Sequence, residues 1–313
     1  MATNEPLTIL IARKPGSTTT WGEEFAAWIA RTGERRHRRK NGVSVRTITV
    51  LPTIWPSDEP AAMSDNHRSW IEAEAQACRH AALHALKHAD VPKSCRAKEP
   101  FEFISRSSET AAITQAATDC NADFVVIESS PDAPDGRFQA GSTADALLHC
   151  APVSLALTPR SPKFSKKGIA RVNCTYVDTE QSKEALRKAC DLAHLWGIPL
   201  RLVAFAPRGA SMYPTQTPYH HEDEDMVEWR EQALALLDRG RDRALARHAD
   251  LDVEMAIGTG HDWSGAMENI NWKKSDVLIV GSSTLGVFGQ VFLGSSTNQI
   301  VKHSPVPTII VPV

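Results

Sequence analysis

A chain of 313 residues is long enough for about two ordinary domains, and a hydrophobic fraction of 42% is sufficient for two cores. The net charge of −2 argues against capture of nucleic acid or of an anionic membrane by the whole chain. The six cysteines include no C-x-x-C pair, which favours reduced thiols over a disulfide framework. The sequence has no run of about 18 apolar residues and no basic start typical of a signal peptide. We therefore expect a cytoplasmic protein with neither nucleic acid nor membrane as a partner.

Short β-branched apolar runs alternate with longer helical patterns along the chain. In the first half we predict strands at 7–12, 43–51, 101–104, 124–127 and 153–157, and helices near 21–32, 66–90, 108–119 and 142–150. In the second half we predict strands at 170–177, 199–205, 252–257, 277–280 and 307–311, and helices near 181–195, 225–248, 263–272 and 294–302. Such alternation predicts an α/β fold with parallel sheets covered on both faces.

An internal repeat divides the chain into two copies. Residues 121–160 can be laid on the C-terminal segment at an offset of 153 residues, which places Asp123 on Asp276 and Gly141 on Gly294. A period this long indicates two copies of a whole domain and not a solenoid. We predict domains at 1–160 and 168–313, joined by the polar linker 161–168. Each is expected to be a Rossmann-like, doubly wound parallel sheet of five strands.

The residues with the clearest chemistry follow the predicted strand 277–280. Gly281 has no side chain, so a ligand can approach its backbone closely. Gly294 opens the last predicted helix, where unpaired N–H groups and the helix dipole attract an anion such as phosphate. Hydroxyls of Ser295, Ser296 and Thr297 would add donors. The residues alone leave a plainer interpretation equally open, in which Gly281 permits a turn and Ser295 caps a helix.

This run resembles the universal stress protein signature G-x2-G-x9-G-S/T, followed by an apolar helix, a His-Ser-Pro-Val-Pro segment and a final strand. Gly281, Gly294, Ser295 and the tail from His303 match it, whereas Thr284 stands in place of the middle glycine. Asp178 matches the family's acidic residue after the first strand. The resemblance covers essentially the whole chain as a tandem pair of the kind common in actinobacteria.

The resemblance implies an adenine-nucleotide site in the second domain. Asp178 would contact the adenosine part, and the glycine loop would hold the phosphates. The ligand would be ATP, or ADP or AMP in its place, with Mg²⁺ as an accompanying ion. The implied binding set is Asp178, Gly281, Thr284, Gly294, Ser295, Ser296 and Thr297.

The first copy departs from the signature at three positions. Lys14 replaces the strand-end aspartate, Glu128 the first glycine and Pro131 the second, while Gly141 and Ser142 are kept. Glu128 would bring bulk and like charge toward a phosphate. We expect the first cleft to hold no nucleotide, because a Lys14–Glu128 pair would fill it. The first domain would then have a structural or regulatory role. By the same logic, Gly281→Glu is expected to remove binding and leave the fold intact.

The function that follows is stress-linked regulation by nucleotide occupancy, with at most weak ATPase activity, because no general base is evident near the loop. Two alternatives stay open: an interaction module that binds no nucleotide, favoured by Thr284, and a slow ATP-hydrolysing enzyme. The basic run at 34–41 and the loop at 208–224 are interpreted as solvated surface loops. A protein partner is expected, but the sequence does not identify it.

The last strand of each copy is apolar and has no following helix, so an exposed edge there would promote aggregation. We expect the two edges to pair within the chain as a pseudo-dimer, because the linker keeps them at high effective concentration. The resemblance implies antiparallel pairing. The residues predicted at this junction are Leu155, Leu157, Ile309 and Val311. Besides this intrachain pseudo-dimer, the sequence leaves a homodimer of the chain open.

Overall fold

The computed structural model describes residues 6–32, 42–53, 65–207, 222–282 and 295–312, with the backbone alone at 222–226 and 295. The strands are β1 Leu7–Ala12, β2 Val43–Pro52, β3 Arg96–Arg106, β4 Phe124–Glu128, β5 Ser154–Thr158, β6 Arg171–Thr175, β7 Leu200–Pro207, β8 Val253–Gly260, β9 Asp276–Gly281 and β10 Thr308–Val311. The helices are α1 Trp21–Arg31, α2 Asp65–His88, α3 Glu109–Asp119, α4 Ser142–Leu147, α5 Glu180–Trp196, α6 Glu222–Arg247, α7 Trp263–Glu268 and α8 Ser295–His303.

The strands follow the order β3-β2-β1-β4-β5-β10-β9-β6-β7-β8 in one sheet. Read from the junction outward, each half has the same order, with its first strand in the centre and its last strand at the junction. All pairs within a half are parallel. This is the doubly wound arrangement, so the predicted α/β class is confirmed.

The two last strands join the halves. β10 runs antiparallel to β5, with Thr308 opposite Leu157, Ile309 opposite Ala156 and Ile310 opposite Leu155. The predicted antiparallel pairing is therefore confirmed, although the result is one continuous sheet of ten strands and not two separate sheets. Val311 was also predicted to pair across this junction, but it pairs with Gly281 of β9.

The hydrophobic core crosses this junction on both faces of the sheet. Successive side chains of a strand point to opposite faces; accordingly, Ile309 lies in one core cluster and Ile310 in the other. The first cluster contains both Trp28 of α1 and Trp196 of α5, and the second contains both Leu155 and Ile310. Burial is therefore continuous between the halves, which makes the chain one packed unit.

The linker is packed against both halves. Phe164 stacks on Trp28 with ring centroids 4.9 Å apart, and Ile169 N–H donates to Thr32 Oγ1 at 2.8 Å. On the other side, Ser165 N–H donates to the Lys274 carbonyl at 3.3 Å. The polar composition of 161–168 gave no indication of this, since the contacts depend on one aromatic residue and on backbone groups.

Several predicted boundaries differ from the structure. The strand predicted at 101–104 runs from Arg96 to Arg106, because β3 is an edge strand whose outward polar residues and Pro100 are tolerated there. The strand predicted at 170–177 ends at Thr175, which places Asp178 in a loop. Helices α4 and α7 are shorter than predicted, with six residues each.

In the described part of the chain, no helix is both long and apolar enough to cross a membrane. The basic run at 34–41 lies outside the described residues, and so does 208–221, most of the second predicted loop.

Candidate functional site at the carboxyl edge of strands β6 and β9

The candidate site lies where the strand order of the second half reverses. The chain passes from β6 outward to β7 and β8, then returns to β9 on the other side of β6. In open α/β sheets, ligands bind beyond the carboxyl ends of the two strands at such a switch point. Asp178 follows β6, and Gly281 ends β9. Asp178 and Gly281 therefore lie on the two sides of the expected crevice.

Asp178 is held in a polar cluster just before helix α5. Its backbone has φ of 56°, a left-handed conformation that aspartate tolerates better than most residues. Tyr176 donates its hydroxyl to Asp178 Oδ1 at 2.8 Å. This hydrogen bond is the main cause that lowers the pKa of Asp178; nearby cations assist and burial opposes. The carboxylate is thus ionised, and its side chain is 28% exposed.

Three cations surround the same carboxylate. Arg243 Nη2 lies 3.4 Å from Oδ1, Arg239 Nε 3.7 Å from Oδ2, and Lys183 Nζ 4.0 Å from Oδ1. Lys183 also contacts Glu180, with Nζ 2.7 Å from Oε1. The two arginines are spaced four apart on α6, so they share one helix face.

Gly240 explains why these arginines reach the site. A Cβ atom at Gly240 would lie 2.8 Å from Cδ1 of Tyr176 and 3.0 Å from Cδ1 of Leu202, which is closer than side chains allow. The glycine lets α6 pack directly on the buried Tyr176 ring. Arg239 and Arg243 then lie beside Asp178, which accepts the Tyr176 hydroxyl. Burial, aided by Asp178, raises the pKa of Tyr176 to about 12, so the phenol remains a donor.

Gly281 is required by packing inside the domain. A Cβ atom there would fall 2.7 Å from the carbonyl carbon of Gln181 and closer still to its oxygen. The end of β9 therefore meets the start of α5 backbone to backbone. The expectation that Gly281→Glu leaves the fold intact is wrong, because any side chain at 281 collides with the helix.

Of the remaining predicted residues, Ser296 and Thr297 lie in the first turn of α8. Thr297 donates its hydroxyl to the Gly281 carbonyl at 3.2 Å, which ties the start of α8 to the end of β9. Ser296 is exposed in the first turn of α8. Ser295 is the first residue of that helix, and its side chain lies outside the described part. Thr284 and Gly294 fall in 283–294 and are also outside it.

At the equivalent edge of the first domain, the glycine is on the helix and the residue with a side chain is at the strand end. Glu128 ends β4 and accepts hydrogen bonds from Gly22 N–H at 2.8 Å and from the Thr19 hydroxyl. Here the glycine is on the helix, since a Cβ atom at Gly22 would lie 2.9 Å from Ile11 Cγ2. The predicted Lys14–Glu128 pair is wrong: Lys14 Nζ lies near Gly141, and Glu128 is satisfied by α1 and the loop before it.

A cavity of about 310 Å³ lies at this first-domain edge, so the cleft is not filled as predicted. Its lining includes Lys14 and Glu128 together with Glu109, whose carboxylate accepts the Thr143 hydroxyl at 2.6 Å. Two carboxylates against one lysine make this cleft unfavourable for a phosphate chain.

The fold and this edge define a tandem, doubly wound α/β protein with unequal clefts. A family model described as the Universal stress protein family matches residues 170–312. Universal stress proteins of Mycobacterium tuberculosis and Mycobacterium bovis are 30% identical to this chain over 278 residues, covering 88% of this chain and 92% of theirs. The chain belongs to the universal stress protein family, which supports a role in the stress response.

Solved structures agree on the fold. A universal stress protein from Archaeoglobus fulgidus covers 100% of this chain and 99% of its own, with a TM-score of 0.61 at 15% identity. A putative universal stress protein from Pseudomonas aeruginosa covers 100% and 95%, with a TM-score of 0.51 at 11% identity. At such identities the likeness concerns the fold alone.

Sequence reasoning missed the residues that surround Asp178. Tyr176 falls in the strand predicted at 170–177, and Arg239 and Arg243 fall in the helix predicted near 225–248. The signal that could have found them is the segment Arg239-Gly240-Arg241-Asp242-Arg243, where a glycine interrupts a predicted helix and two arginines lie four apart.

Proposed function

We propose that the second domain binds an adenine nucleotide, with ATP as the principal ligand and ADP or AMP as alternatives, and that its occupancy regulates the stress response. The supporting observation is the placement of Asp178 and Gly281 beyond the two strands that flank the switch point. Ligands bind at this place in doubly wound sheets.

The chemistry of the described residues fits such a ligand. Asp178 is an ionised, partly exposed acceptor suited to a ribose hydroxyl. The first turn of α8, a helix of nine residues, is tied to the end of β9 by Thr297, and it offers the N–H donors of a helix start together with the exposed Ser296. A nucleotide bound there would bring phosphates that these donors and an accompanying Mg²⁺ neutralise. Thr284 and Gly294 complete the proposed set.

The alternative, an interaction module without nucleotide, also has supporting observations. Gly281 is explained by its contact with Gln181, and the Thr297 hydroxyl is engaged by the Gly281 carbonyl. Neither feature needs a ligand. A slow ATPase is the third candidate; the bonded neighbours of Asp178 are a phenol and cations, which offer no general base.

Mass spectrometry of the full chain, denatured directly after purification, tests the proposal, and calorimetric titration with ATP follows. We expect co-released adenine nucleotide or saturable binding, which Asp178→Asn weakens. Asp250→Asn is the matched control, because Asp250 pairs with His194 at the opposite edge of the sheet. Absence of both released nucleotide and binding would favour the interaction module. Turnover of radiolabelled ATP would instead favour the ATPase.

A further inference from the structure

The cation cluster around Asp178 has more positive charge than the carboxylate requires. Arg239 and Arg243 both point to Asp178, and Lys183 is shared between Asp178 and Glu180. Ion pairs between exposed side chains contribute little stability, typically about 0–1 kcal/mol. The side chains of Arg239 and Arg243 are 56% and 50% exposed, so fold stability gives only a weak reason for two arginines at this place.

Neither arginine donates a hydrogen bond to Asp178. Their nitrogen atoms lie 3.4 and 3.7 Å from its oxygens, and among the described residues the hydrogen bonds of Asp178 come from Tyr176, not from α6. Arginine binds phosphate through two parallel N–H donors, which is the geometry that a guanidinium prefers. A ligand phosphate beside Asp178 could therefore engage both guanidinium groups.

The position of the cluster indicates which phosphate it would meet. In doubly wound dinucleotide sites, an acidic residue after a strand binds a free ribose hydroxyl, or, for a ligand with a phosphate on that ribose, a nearby arginine accommodates the phosphate. Here the acidic residue and the arginines occur together. The 5′-phosphates would lie instead toward the start of α8, on the β9 side of the crevice.

We propose that the second domain selects adenine nucleotides that carry an additional phosphate on the ribose 2′ or 3′ position, with Arg239 and Arg243 as the selecting residues. The inference rests on the proposed function, because it assumes that the adenosine part lies at Asp178. Tyr176 keeps the Asp178 carboxylate in place, and Gly240 brings the two arginines to it.

Calorimetric titration of the full chain with ADP, adenosine 2′,5′-bisphosphate and adenosine 3′,5′-bisphosphate tests the proposal. ADP has the same number of phosphates as the two bisphosphates, but both are on the 5′ position and none is on the 2′ or 3′ hydroxyl. We expect one bisphosphate to bind at least about tenfold more tightly than ADP. In the Arg239→Gln/Arg243→Gln double variant, this preference should disappear while ADP binding changes by less than about threefold.

Arg241→Gln is the matched control, because Arg241 lies on the same helix but pairs with Asp238, with Nη2 3.2 Å from Oδ1. It should retain the full preference. If ADP binds and neither bisphosphate binds more tightly, the selection is wrong while the nucleotide site stands. If the double variant weakens ADP and the bisphosphate equally, the arginines attract phosphate in general and the assignment also fails. If no adenine nucleotide binds the unaltered chain, both the proposed function and this inference are wrong.

Discussion

At the junction between a strand end and a helix start, each domain has one glycine, but on opposite partners. In the second domain it is Gly281 on β9, which faces the backbone of Gln181. In the first domain it is Gly22 on α1, which donates its N–H to Glu128 on β4. In the second domain the two backbones meet directly, whereas a Cβ atom at Gly22 would meet side chains, Ile11 Cγ2 at 2.9 Å and Glu128 Oε1 at 3.4 Å. Glu128, which stands where the second domain has Gly281, therefore changes the packing of this junction as well as its charge.

Replacing Gly281 by alanine should destabilise the fold by about 1–3 kcal/mol, because the new methyl group overlaps the Gln181 carbonyl. Equilibrium unfolding in urea measures the change. Gly42→Ala is the control, since a Cβ atom at Gly42 meets nothing within 4 Å. If Gly281→Ala is as stable as the unaltered protein, Gly281 serves a ligand and not the packing of α5.

The buried carboxyl group of Glu23 makes the stability of the fold depend on pH. It is fully buried, and its Oε1 accepts from Arg13 Nη1 at 3.1 Å. Burial raises the pKa of Glu23 from 4.5 to about 7, against the attraction of Arg13 and with added repulsion from Glu128. In the unfolded chain the carboxyl ionises near 4.5, so the folded state binds this proton more tightly. The stabilisation from Glu23 is complete below pH 4.5 and is lost as the pH rises to about 7.

The Glu23→Gln variant should therefore gain stability relative to the unaltered protein as the pH rises from 4.5 to 7. The relative gain across this window is on the order of 3 kcal/mol. Urea unfolding at several pH values measures it. Glu24→Gln is the control, because Glu24 accepts a hydrogen bond from the Thr20 hydroxyl and lies outside the buried pair. A constant difference between Glu23→Gln and the unaltered protein at all pH values would contradict the raised pKa.

At the scale of elements, β10 decides how the halves are joined. It lies between β5 and β9, and Ile309 faces Ala156 on one side and Ile279 on the other. An interior strand has partners for its backbone groups on both sides, so a proline there leaves a ladder acceptor without its donor.

Ile309→Pro should open the junction, because an unsatisfied buried group costs about 1–3 kcal/mol. Tryptic cleavage in the linker 161–168, after Lys166 and Lys167, should speed up by roughly tenfold or more, since cleavage follows the population of the open form. Ile309→Val keeps the N–H group and most of the apolar contact, so its cleavage should stay slow. The second core should loosen together with the junction, because the same strand also pairs with β9. Unchanged cleavage in Ile309→Pro would show that the β5–β10 pairing does not protect the linker.

At the scale of the whole molecule, one sheet carries two edges of different chemistry. The second-domain edge has Asp178 with its arginines, and the first-domain edge has Glu128 and Lys14 around a cavity of about 310 Å³. A continuous core connects them. A continuous core is one physical route by which a ligand bound at one edge can affect the other half.

We predict that the full chain binds a single adenine nucleotide, because Glu128 and Glu109 disfavour phosphate in the first cleft. The stoichiometry of a calorimetric titration with ATP measures this, and Asp178→Asn should weaken the entire signal. A stoichiometry of two, or tight binding that survives in Asp178→Asn, would show that the first cleft also takes nucleotide. Lys14→Met serves as the control, since a change at Lys14 should leave the titration unaltered if the first cleft plays no part.

The sequence by itself determined the fold class, the repeat and the pairing of the last strands. These follow from local patterns: apolar runs of strand length, helical periodicity, and an offset that places Ser129 on Ser282. The structure reproduces that offset, because Ser129 N–H donates to the Thr158 carbonyl and Ser282 N–H to the Val311 carbonyl. Only the tertiary structure decided what Gly281 contacts, which cations reach Asp178 and where Glu128 directs its carboxylate. These contacts join residues far apart in the chain, and their geometry depends on how closely two backbones approach, which no local pattern records.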